Sequence, residues 1–143
     1  MKTQFVPYDI AKELKELGFK ELCVYAYDEV PMICTVGLTP FDPLNYNSKS
    51  GGGYISAPLW QQVFDWLYEK HGIFVEQFIN LHPGSERDNL KPGKIIYSYR
   101  IYQIKPDGKA YGSLMVDGFN WSPNEMQESI IRKTLKKIKP LET

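Results

Sequence analysis

Four side chains in this sequence could carry nucleophilic or acid–base chemistry: the thiols of Cys23 and Cys34 and the imidazoles of His71 and His82. A weak nucleophile needs a base within hydrogen-bond reach, so a Cys–His pair is the arrangement to look for. Neither histidine lies in a recognisable motif: His71 closes a helical segment, and His82 stands beside Pro83-Gly84. Cysteines in strand-like runs are usually buried, protonated and inert. The sequence also lacks the short C-x-x-C or H-x-x-x-H spacing that lets two ligands share one metal ion. It therefore assigns no catalytic residue, no metal ligand and no cofactor, and the reading leans away from an enzyme.

Binding chemistry is better represented. Lys49-Ser50-Gly51-Gly52-Gly53, with Tyr54 after it and a helix start at Ser56, holds the ingredients of a phosphate cradle, where backbone N–H groups and a helix N-terminus meet an anion. In a P-loop, however, the lysine follows the glycines and opens the helix, and here it precedes them. Lys49 and Tyr54 are the binding candidates of that segment. Tyr97 and Tyr99 share one face of a strand, as do Tyr25 and Tyr27 on another. With Arg100 as a basic neighbour they could stack bases, although strand tyrosines more often pack under a helix with the hydroxyl at the rim. Lys133, Lys136 and Lys137 crowd the end of the last helix, where positive charge suits the helix dipole and could also meet a polyanion.

The elements that position these groups follow from periodicity. Ile10, Ala11, Leu14 and Leu17 recur at three- and four-residue spacing, which predicts a helix over 8–17 stopped by Gly18, with Phe19 making the hydrophobic contact beyond it. Runs at 21–27 and 31–38 are rich in β-branched and aromatic residues and predict a hairpin; a turn centred on Asp28-Glu29 would set Cys23 opposite Cys34. Residues 39–54, with Pro40, Pro43 and three successive glycines, read as a long flexible loop, a lid or a linker. A second helix runs from Ser56, with Pro58 in its first turn, to His71 before Gly72, and carries a broad apolar face from Leu59 to Tyr68. Strands are predicted at 73–81, 94–104 and 109–116, the last two joined by a Pro106-Asp107-Gly108 turn. Ser122-Pro123-Asn124-Glu125 is a capping box that opens the last helix, with Met126, Ile130, Ile131, Leu135 and Ile138 as its buried stripe.

The expected fold is α+β, in one domain over 1–143: about five mostly antiparallel strands in one sheet with three helices, ordered α-β-β-α-β-β-β-α. Seventeen basic and seventeen acidic side chains cancel, so no whole-molecule field draws the chain to nucleic acid or an anionic membrane. No window has the ~20 apolar residues that span a bilayer. The start, Met1 to Pro7, lacks a secretory h-region, and the expected location is the cytoplasm, where the cysteines stay thiols. Wide apolar helix faces with Trp60, Trp66 and Trp121 leave room for a homodimer interface.

The run Ile55-Ser56-Ala57-Pro58-Leu59-Trp60-Gln61-Gln62-Val63-Phe64-Asp65-Trp66, with the opening Phe5-Val6-Pro7-Tyr8 to Leu17-Gly18-Phe19, resembles small uncharacterised proteins encoded in bacterial prophages and mobile elements. That resemblance covers roughly the first half and implies no activity and no site residue. Three readings result: a small non-enzymatic accessory or interaction protein; a single-stranded nucleic-acid binder using the tyrosine-bearing sheet and the basic C-terminal helix; or a small hydrolase or transferase gated by the 42–54 loop.

Overall fold

The computed structural model describes residues 4–34, 43–48, 53–84, 87, 92–104, 113–120 and 122–138, the stretch 113–116 as backbone alone. The chain is α+β, and the described residues form three helices and two three-stranded antiparallel sheets. The single five-stranded sheet read from the sequence is thus replaced by two sheets, and the order becomes α-β-β-β-α-β-β-β-α. Two compact units divide the chain, 1–66 with 135–143, and 67–134.

In the first unit, α1 (Tyr8–Glu16) buries Ile10, Ala11 and Leu14 as its spacing requires. Gly18, at φ 93°, lets the chain leave the helix in the left-handed conformation. Its N–H bonds to the Lys15 carbonyl at 3.2 Å, and the Phe19 N–H bonds to that of Leu14 at 2.9 Å, which satisfies two carbonyls at the helix end. Phe19 is then fixed edge-on against Trp66, with ring centroids 5.4 Å apart.

β1 (Ala26–Tyr27) lies between β2 (Ile33–Cys34) and β3 (Ile55–Ser56). The register sets Ala26 opposite Cys34, so Cys23 is not opposite Cys34; it bridges to Leu44 instead. The cause is the turn. The Asp28 carboxylate accepts the N–H groups of Val30 at 2.9 Å and Met32 at 3.0 Å, and the Asp28 N–H bonds to the Met32 carbonyl. An aspartate that organises its own loop in this way lengthens the connection beyond the two-residue turn read from the sequence.

The 39–54 segment lies partly outside the described residues, but its described part is held to the unit. Tyr46 is buried, and the Asn47 side chain joins two elements: its Nδ2 donates to the Phe19 carbonyl at 2.9 Å and its Oδ1 accepts the Ser56 N–H at 3.0 Å. Ser56 pairs with Ala26, four residues before the helix begins, and is a strand residue rather than a helix cap. Helix α2 (Trp60–His71) starts later, after Leu59, whose N–H donates to Gln62 Oε1 at 3.0 Å, as in half of a capping box. Val63, Trp66 and Leu67 are buried along it, whereas Leu59 and Tyr68 are exposed, so the apolar face is narrower than the sequence suggests.

In the second unit β4 (Ile73–Leu81), β5 (Ile95–Gln103) and β6 (Ser113–Asn120) form a meander with β5 central. The β4–β5 register is unbroken from Ile73 opposite Gln103 to Leu81 opposite Ile95, and β5–β6 has a bulge at Ile101/Tyr102. The Pro106-Asp107-Gly108 turn lies outside the described residues, as does Trp121. β6 runs to Asn120, four residues beyond the expected 116. Helix α3 (Pro123–Leu135) begins as its capping box dictates, with Ser122 Oγ accepting the Glu125 N–H at 3.2 Å, and buries Met126, Ile130, Ile131 and Leu135. Ile138 lies beyond the helix end and is half-buried. Among the described residues no helix is long and apolar enough to cross a membrane.

Candidate functional site

Side chains alternate across a strand, so the β4–β6 meander has two faces of different composition. One carries Ile73, Ile101 and Tyr99, each at most 1% exposed. The Tyr99 hydroxyl lies 3.1 Å from Ser129 Oγ and accepts from Lys133 Nζ at 2.6 Å, with the ammonium 5.2 Å from the ring centroid. Both partners belong to α3, so this helix is tied down over the face by polar bonds at its exposed flank. Gly118 stands opposite Tyr99 on β6. A Cβ there would overlap the tyrosine ring and hydroxyl, so glycine is what allows the ring to lie across the neighbouring strand.

The other face is open. Phe74 is 49% and Phe119 54% exposed, and Arg100 and Asp117 are exposed between them. Glu76, Phe78 and Tyr102 are half-buried on the same side. Arg100 stands opposite both Glu76 on β4 and Asp117 on β6. Its guanidinium reaches Glu76 at 3.8 Å and lies 5.1 Å from the Phe78 ring centroid, while the Tyr102 hydroxyl donates to Glu76 at 3.3 Å. An arginine flanked by acids and aromatics on a three-stranded platform can take up apolar contact area and planar hydrogen bonds together.

The predicted binding residues separate accordingly. Tyr99 is covered and cannot stack a base, and Tyr97 is half-buried on the Tyr99 side, whereas Arg100 points to the opposite face. Lys133 is held by Tyr99; Lys136 and Lys137 are exposed beyond the end of α3. Lys49 lies outside the described residues. Tyr54 is half-buried beside Tyr46, and with Gly53, Asp28, Glu29 and Val30 it lines a hollow of about 280 Å³. That lining holds two carboxyl groups and no thiol or imidazole, and the Asp28 carboxylate is already engaged by its loop.

The four candidate reactive groups do not form a pair within either unit. His71 and His82 stand at the two ends of the nine-residue strand β4, roughly 30 Å apart along an extended chain. Burial lowers the His71 pKa. Burial pushes the Cys23 thiol up to about 12, with the Ser56 hydroxyl opposing and Glu21 adding to the rise, and burial followed by Asp28 raises that of Cys34. Neither thiol is activated. Among the described residues no group of three or more His, Cys, Asp or Glu side chains could hold a metal ion.

No known family, curated protein or solved structure matches this chain. The open face is therefore read from its own chemistry. Its aromatic residues Phe74, Phe78 and Phe119 were not singled out in the sequence, although Phe74, Glu76 and Phe78 share the parity of a single strand face. The missing information was the long-range register that brings Arg100 and Phe119 beside them.

Proposed function

We propose that the chain is a small non-enzymatic accessory or interaction protein, and that a protein partner docks on the open face of β4–β6. The observation that carries this reading is the exposure of Phe74 and Phe119 around Arg100 on a face that α3 does not cover. Phenylalanine and arginine are enriched at protein interfaces relative to the rest of the surface, and arginine is among the residues that most often dominate binding energy there. One cation set between Glu76 and Asp117 offers no net positive field, which favours a mixed-charge protein surface over a polyanion. The prophage resemblance fits an accessory role, and a cytoplasmic setting keeps Cys23 and Cys34 as thiols; the coding neighbourhood of the gene tests the first.

A photo-crosslinking side chain placed at Phe119 or Phe74, in cells that naturally express the chain, should trap one protein of defined mass. The same group at Glu69, on the exposed side of α2, should not. Adducts to nucleic acid would favour the second reading instead. Robust catalytic turnover that vanishes on substituting His71, His82 or either cysteine would overturn the proposal.

A further inference from the structure

The outer edge of β4 has a bonding pattern that can be deduced residue by residue. His82, one step beyond β4, donates its N–H to the Lys94 carbonyl at 2.7 Å, and the Ile104 N–H bonds to the Gly72 carbonyl at 2.7 Å, one step before β4. Both are even-numbered positions, and the register between them is unbroken. In an antiparallel ladder, residues that bond to the neighbouring strand alternate with residues whose N–H and C=O point away. Even-numbered residues of β4 therefore bond to β5, and odd-numbered ones direct their backbone groups outward. Ile73 is buried, so the open stretch is Val75, Gln77, Ile79 and Leu81. Among the described residues no strand pairs with this edge.

Edge strands are normally blunted by lysine, proline, a bulge or shortness. β4, with sequence IFVEQFINL, has none of these: it is nine residues long, carries one charge, and leaves Ile79 66% and Leu81 69% exposed. We infer that β4 pairs antiparallel with β4 of a second copy of this chain, centred on Phe78, to make a continuous six-stranded sheet.

The register follows from what two identical strands can satisfy. Centring on Phe78 sets Val75 opposite Leu81 and Gln77 opposite Ile79, so each open residue is matched and about eight hydrogen bonds form. On the other side of the ribbon Glu76 then faces Asn80, and Phe78 faces its own copy, a favourable aromatic pair. Centring on Gln77 would spend Leu81 on the buried Ile73. Centring on Glu76 would place two carboxylates directly opposite each other, which is repulsive. The strand is thus self-complementary in one register. This inference concerns the edge rather than the open face and stands or falls separately from the partner proposed above.

The test is the mass of the full chain in solution by light scattering over the micromolar range, with two variants. The expected result is a dimer that Ile79→Pro converts to a monomer with unchanged far-UV circular dichroism, because proline removes an outward N–H and none of the β4–β5 bonds. Phe78→Cys should form a 78–78 disulfide on mild oxidation, since directly opposed residues of a non-hydrogen-bonded pair lie ~4.5 Å apart at Cα, within disulfide reach. Asn80→Cys, which faces Glu76, should not cross-link to itself. A monomer at every concentration would overturn the inference. So would a dimer that gives no 78–78 link, and that readout decides the matter if the proline variant fails to fold.

Discussion

The two faces of the β4–β6 sheet share one backbone and nearly one amino-acid vocabulary, yet they have opposite fates. Tyr99 and Ile101 are sealed, and Phe74 and Phe119, no less hydrophobic, stand about half in water. What separates them is the helix that follows. α3 brings Ser129 and Lys133 to the Tyr99 hydroxyl, and Gly118 leaves room for the ring to lie flat. The other face has no such helix among the described residues, and its aromatic groups are instead spaced by Arg100, Glu76 and Asp117. The lesson is that strand composition alone does not tell a core face from a binding face; the covering element does.

The contrast is easiest to break at Tyr99. Tyr99→Ala removes a fully buried ring and its hydroxyl bonds, and should cost about 3–5 kcal/mol in urea-induced unfolding. A loss under about 1 kcal/mol would mean that α3 does not seal this face. Gly118→Ala tests the same seal from the other strand: the added methyl group forces the ring to shift and should cost about 1–3 kcal/mol. If it is neutral, the ring does not lie where the two strands place it. At the small end, Phe119→Ser on the open face, where the ring is about half buried, should cost about 1 kcal/mol and abolish photo-crosslinking at Phe74. A large destabilisation there would make Phe119 part of a core instead of a docking surface.

His71 adds a pH dependence within the same unit. Its folded-state pKa is lowered by burial, so the folded chain binds fewer protons than the unfolded chain in acid. Stability is then complete above the unfolded value of about 6.5 and declines as pH falls through it. His71→Gln should flatten that decline between about pH 7 and 5 in thermal melts. A decline unchanged by the substitution would assign it to other groups.

The sequence was most legible where the signal is local. The apolar spacing of α1, the Gly18 stop, the Ser122 side-chain cap and the strand composition of β4 and β5 each depend on neighbours within a few residues, and each is present. Two readings failed where a side chain bonded the backbone. Ser56 looked like a helix cap, but its N–H is taken by Asn47, nine residues away. Cys23 and Cys34 looked paired until the Asp28 carboxylate reorganised the turn. Tyr99 packs under α3 with its hydroxyl at the rim, the commoner of the two expectations for a strand tyrosine, and strand alternation alone places Arg100 on the other side. Bonds from side chain to backbone set register here, and nothing in periodicity encodes them. The candidate site suffered most, because an open sheet face is defined by what fails to cover it.

The most direct test is hydroxyl-radical footprinting of the folded chain, read by mass spectrometry at single residues. Phe74 and Phe119 should be oxidised readily while Tyr99, intrinsically the more reactive ring, is protected until the chain unfolds. Oxidation of Tyr99 in the folded chain as fast as that of Phe119 would contradict the assignment of a sealed face and an open one.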